Sequence, residues 1–170
     1  YVLLSMVPAL IAYLWCQGTG GRRPWFKFAA TYGVFLIAGL NSELVYPGFN
    51  ILEVLWVKQR DFIGLATEVD AGSFVPTTLL EPTLSSFLSQ VPHALYMTFV
   101  SPFTTWNNGP LGAMSAAENG LLLLIIGAAI RWRRRWSEVD VPLLLFCIGF
   151  TLVLALVIGW TTPVIGALVR

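Results

Sequence analysis

The chain has 170 residues, of which 56% are hydrophobic and only 11% charged, and its mean hydropathy is +0.74. That balance excludes an ordinary water-soluble domain and describes a polytopic integral membrane protein. The formal net charge of +1 hides a segregation of signs along the chain, so the basic residues report topology rather than a nucleic-acid partner.

The first apolar run, YVLLSMVPALIAYLWC, would reach about 24 Å as a helix at 1.5 Å per residue. A bilayer's hydrocarbon is roughly 30 Å thick, so residues preceding Tyr1 are expected to complete this crossing. The run lacks the basic flank and small-residue cleavage site of a secretory signal. The link QGTGGRRPWFK follows, carrying Arg22, Arg23 and Lys27 and no acid, and it is expected to be cytoplasmic. Its GTGGRRP stretch lacks the Lys-Ser/Thr pair of a phosphate-binding loop. A second crossing, from about Trp25 to Val45, returns to the outer side at Asn41, Ser42 and Glu43, where Tyr46-Pro47-Gly48 stops the helix.

Residues 46–110 hold Glu53, Asp61, Glu68, Asp70 and Glu81 against Lys58 and Arg60, which assigns this connection to the extracytoplasmic side. The connection has its own apolar periodicity and is expected to be largely helical. NILEVLWVKQRDFIGLATEV sets Ile51, Leu52, Leu55, Phe62 and Leu65 broadly on one side of an amphipathic helix, with Glu53, Lys58, Gln59 and Asp61 elsewhere. Gly72, Pro76 and Pro82 interrupt the chain before TLSSFLSQVPHALYMTF resumes helical spacing, which Pro92 kinks or divides. SPFTTWNNGP is a turn-rich re-entry with Phe103 and Trp106 at headgroup level.

The third crossing, Leu111 to Ile130, runs into Arg131, Arg133, Arg134 and Arg135, and the fourth extends from Val141 to Trp160. The intervening RWRRRWSEVD is short, basic and flanked by Trp132 and Trp136, as suits a cytoplasmic interfacial loop. The expected fold is therefore an all-α polytopic bundle of about four crossings. It has three parts: two helices in 1–45, the outer region 46–110, and two helices in 111–170. In a bacterium its place is the inner membrane.

Glu43, Glu118 with Asn119, and Arg170 are all expected near the outer ends of crossings, at similar depth. Ionisable groups at membrane level are costly and pair with one another or line a wet path. Glu43, Glu118 and Arg170 are accordingly the candidate catalytic cleft, although headgroup water is a simpler environment for both glutamates. His93, the single histidine, is a candidate acid or base near neutral pH, against the plainer reading of an interfacial imidazole. Arg131, Arg133, Arg134 and Arg135 are explained by topology and are also candidates to hold a lipid phosphate or a polyprenyl phosphate. The outer acids match no metal loop, Cys16 and Cys147 read as small buried hydrophobes, and no metal or cofactor is called for. HExxH, paired CxxC, GxSxG and Asn-x-Ser/Thr patterns do not occur.

The strings AGSFVP, LEP, SPFTTW, SAAEN and GWTTPVIGALVR, spread over Ala71 to Arg170, resemble the C-terminal part of uncharacterised multi-spanning bacterial inner-membrane proteins linked with envelope polysaccharide synthesis. The arrangement is also similar in general architecture to membrane glycosyltransferases and glycan polymerases or ligases that take lipid-linked sugars at the outer face. What the resemblance implies is a part in lipid-linked sugar transfer or polymerisation, with a polyprenyl-phosphate-linked glycan as substrate. Whether the chain is itself the enzyme is left open by its motifs. An accessory or scaffold subunit of a larger membrane complex is the second reading, with Gly33, Ala38, Gly39, Gly127, Ala128 and Ala129 allowing close helix approach. A transporter component is the third, although Leu121 to Ile130 and Leu143 to Ile158 offer no ionisable group for a path.

Overall fold

The computed structural model describes residues 1–20, 22–68, 77–104, 110–131 and 140–162. They are all-helical, with no strand among them. In chain order the helices are α1 (Val2–Gly18), α2 (Pro24–Leu40), α3 (Ser42–Val45), α4 (Ile51–Glu68), α5 (Leu84–Ser89), α6 (Val91–Phe99), α7 (Ser101–Thr104), α8 (Pro110–Arg131) and α9 (Val141–Thr161). Two compact units form: Tyr1–Val54 with Arg135–Leu154, and Leu55–Arg134 with Ala155–Arg170.

In the first unit, α1 turns Ser5, Ala9, Ala12 and Cys16 inward, a 4-3-4 spacing that places small residues on one face. Small side chains let helices approach closely. Ala12 and Cys16 meet Phe28 of α2 and Leu145 of α9, and Tyr13, Tyr32, Val141 and Phe146 pack around that core. The Tyr13 and Phe146 rings lie 5.8 Å apart at a tilt of 56°. Gly149 of α9 meets the end of Tyr32, and a Cβ built at Gly149 would fall 2.9 Å from the Tyr32 Cζ. Glycine therefore sets how near α2 and α9 can come.

The second apolar run does not continue unbroken to Val45. Asn41 ends α2 by donating both its backbone N–H and its Nδ2 to the Ile37 carbonyl, at 3.0 and 2.8 Å. A polar knot follows. The Ser42 hydroxyl donates to the Phe49 carbonyl at 2.9 Å, and Asn50 Oδ1 accepts the N–H groups of Leu52 and Glu53 to cap α4. Gly48, at φ +86°, supplies the left-handed turn between them.

In the second unit the inward face of α4 is Leu55, Gln59 and Ala66, while Leu65 is exposed. Gln59, grouped by sequence with the polar side, is thus a core residue. Its Oε1 accepts the Leu80 N–H at 2.8 Å and its Nε2 donates to the Thr78 carbonyl at 3.3 Å, fastening the extended segment 77–80 to the helix. Pro92 divides the next helical stretch as expected, sitting within the first turn of α6 just after the Gln90 junction with α5. Ala94 of α6 backs onto Gly159 of α9, and Phe87 meets Trp160 edge-on with ring centroids 5.2 Å apart.

Among the described residues one helix, α9, is long and apolar enough to cross a membrane, about 31 Å at 1.5 Å per residue. Only 17% of its most apolar window is buried in protein. A core helix of a water-soluble domain would be mostly covered, so this exposure points to membrane association. The apolar helices α1 and α2, at 17 residues each, are shorter, as is the apolar stretch Gly112–Ala128 of α8.

Candidate functional site

Glu43 lies in α3, immediately after the break that ends α2, and its side chain is exposed. Its Oε1 accepts a hydrogen bond from Asn50 Nδ2 at 3.2 Å. The same Asn50 caps α4, so this carboxylate braces the turn and presents its remaining lone pairs to the surroundings. Glu43 belongs to the first unit.

Glu118 belongs to the second unit, in α8, and is also exposed. The adjacent Asn119 is committed to packing: its Nδ2 donates to the Thr98 carbonyl at 3.2 Å. Thr98 extends the contact to a third helix, because its hydroxyl reaches the Ala155 carbonyl of α9 at 2.8 Å. A chain of hydrogen bonds thereby ties α8 to α6 and α6 to α9, a use of polar side chains suited to an apolar surrounding. Sequence spacing gave Thr98 no role, since its partners are remote in the chain. Gly120 continues the α8 contact, with Phe103 of α7 3.6 Å from the position of a Cβ.

His93 stands in the first turn of α6, half-buried, with Nε2 enclosed and without a hydrogen-bond partner among the described residues. A general base in a catalytic pair needs a partner that fixes its tautomer and ring orientation. None is present at that nitrogen. Trp160 Nε1 is similarly enclosed and unpartnered. Arg131, the last residue of α8, is exposed, whereas Arg133, Arg134, Arg135 and Arg170 fall outside the described residues, as does Trp106.

No group of three or more His, Cys, Asp or Glu suited to a metal ion occurs among the described residues. Cys16 is buried and Cys147 exposed on α9, and both are free thiols. The distinct concavity of the first unit lies at another place. The end of α1, the start of α2 and the start of α9 surround a cleft of about 490 Å³, lined by Cys16, Gln17, Gly20, Pro24, Asp140, Val141 and Pro142. Asp140 caps α9, its Oδ1 accepting the Leu143 N–H at 3.2 Å, and Pro142 occupies the first turn, where a missing N–H is harmless. On the facing link, Lys27 is only 7% exposed and donates to the Thr19 hydroxyl. No protein-family model, curated protein or solved structure matches this chain.

Proposed function

We propose that the chain is a multi-pass protein of a bacterial inner membrane, crossing it with α1, α2, α8 and α9, and that it serves envelope-glycan assembly at the outer face. The observation that carries the topology is the cleft of the first unit, which has Gly20 and Pro24 on one side and Asp140 and Val141 on the other. The ends of both basic links thus adjoin one space, as the positive-inside rule requires of two cytoplasmic loops. α2 then ends outside at Glu43. The glycan part of the proposal rests on the sequence likeness and on two exposed carboxylates, Glu43 and Glu118, at outer helix ends. A carboxylate so placed has the acid–base capacity that transfer from a lipid-linked sugar requires.

Cysteine labelling tests the topology. In a chain with Cys16 and Cys147 replaced by alanine, Ser137→Cys is expected to react with an impermeant maleimide only after the cells are opened. Tyr46→Cys is expected to react in intact cells. Labelling of Ser137→Cys from outside overturns the topology. For the glycan role, Glu118→Gln is expected to reduce envelope-glycan elongation by about a hundredfold, the scale of losing a general acid or base, while the protein remains inserted. Unchanged glycan in the host strain overturns it.

One observation favours the accessory-subunit reading. Leu121 to Ile126 of α8 are six consecutive exposed apolar residues, Leu124 at 71%, so the helix is bare around its whole circumference. Gly127 meets no atom within 4 Å. A partner helix fits this surface as well as lipid does, and co-purification of a stoichiometric membrane partner that crosslinks to α8 would establish that role.

A further inference from the structure

The cleft at the ends of α1, α2 and α9 brings opposite charges together. Asp140 lines it with an exposed carboxylate whose hydrogen bond among the described residues is the capping bond to Leu143. Across from it, Lys27 stands one turn into α2, its backbone N–H bonded to the Arg23 carbonyl. Its partner among the described residues is the neutral Thr19 hydroxyl, which itself bonds the Trp15 carbonyl at 2.9 Å. Thr19 and Arg23 are the chain neighbours of the lining residues Gly20 and Pro24.

An ammonium carries three donors, and burying it against a single neutral oxygen is costly unless an anion completes its shell. The backbone here is also set in an unusual way. Gly20 at φ +64° and Arg23 at φ +50° are both left-handed, and for arginine that conformation is strained. Strain of this kind collects where a site is held in shape. Apolar residues flank the opening: Leu14 and Leu143 are exposed within one turn of Cys16 and Val141, and Trp25 is exposed beside Pro24.

We propose that this cleft binds the headgroup of a zwitterionic phospholipid, phosphatidylethanolamine, in the cytoplasmic leaflet. The phosphodiester oxygens accept from Lys27, the primary ammonium donates to Asp140, and the acyl chains follow the apolar flanks. The inference rests on the multi-pass reading above. Asp140 disfavours a purely anionic headgroup by repulsion, and a choline headgroup has no N–H to donate to it. Both discriminations come from one carboxylate.

The full chain, purified in mild detergent and stripped of lipid, is offered an equimolar mixture of phosphatidylethanolamine, phosphatidylglycerol and phosphatidylcholine and read by native mass spectrometry. One retained phosphatidylethanolamine is expected, preferred about tenfold, the scale of one charge-assisted hydrogen bond. Lys27→Met, which keeps the apolar stem, is expected to lower retention about tenfold on the same scale. Asp140→Asn, which still caps α9, is expected to abolish the preference while leaving the melting temperature unchanged. Should Lys27→Met fail to fold, the Asp140→Asn selectivity decides alone. Equal retention of the three lipids overturns the proposal. So does displacement by millimolar inorganic phosphate without any lipid, which would assign the cleft to a soluble oxyanion. Loss of selectivity with correct labelling of Ser137→Cys defeats this site only, whereas labelling from outside defeats the topology beneath it.

Discussion

Gly159→Leu is expected to destabilise the second unit by about 3 kcal/mol, the upper end of overpacking costs. A Cβ at Gly159 would collide with the Ala94 carbonyl oxygen and lie 2.7 Å from its carbon and 2.8 Å from the Ala94 Cα. Those atoms are backbone within α6 and cannot rotate aside, so one helix must move. Even Gly159→Ala is expected to lower the melting temperature. Gly149→Ala meets the end of the Tyr32 side chain instead, which has rotatable bonds, and its cost is expected to be about 1 kcal/mol. Thermal unfolding in detergent checks both, with the Phe87–Trp160 contact giving a local fluorescence signal for the first. An unchanged melting curve for Gly159→Ala would disprove the α6–α9 approach.

Gln59→Leu is the second change with a large expected effect. The substitution keeps most of the volume and removes both hydrogen bonds to segment 77–80, leaving the Leu80 N–H buried without an acceptor. An orphaned buried donor costs about 1–3 kcal/mol. If about 2 kcal/mol of that appears as easier local opening, the Leu80 amide exchanges its hydrogen about thirtyfold faster. Gln59→Glu preserves the acceptor for Leu80 but loses the donor to Thr78 and buries a charge, so it is expected to be no better tolerated. Wild-type protection of Leu80 in the Gln59→Leu protein would show that the segment is held by other contacts.

The helices themselves were legible because their signal is local and redundant. Runs such as Val141–Thr161 need only length and apolarity, and Pro92 announces the α5–α6 junction through its missing N–H. The contacts between helices were not legible. Gln59 looks polar and surface-directed until segment 77–80 arrives to pair with it, and Thr98 is one hydroxyl among many until α9 offers the Ala155 carbonyl. The small residues show the same limit: Gly33 and Gly127 meet nothing within 4 Å, while Ala12, Cys16, Gly149 and Gly159 are where helices approach. A sequence shows that a residue is small, but whether smallness is used depends on the opposing helix.

The candidate site was legible only in part. Charge asymmetry singled out Glu43 and Glu118 as exposed outer carboxylates, and both are exposed. Their companions, Asn50 at the first and Asn119 at the second, act through hydrogen bonds at fixed backbone positions that no periodicity reveals. The cleft near Lys27 and Asp140 was missed because its walls come from residues more than a hundred positions apart in sequence.

The bare leucine-rich half of α8 bears on biogenesis. During synthesis a nascent helix partitions from the translocon into lipid according to its summed residue free energies, before it has neighbours. The six residues Leu121 to Ile126 contribute about −0.3 to −0.6 kcal/mol each, roughly −2 to −4 in total, against roughly +2.5 to +3.5 for a carboxylate at the helix centre. Glu118 lies nearer the end, where its penalty is smaller, so this segment can enter the bilayer unaided and find Thr98 afterwards.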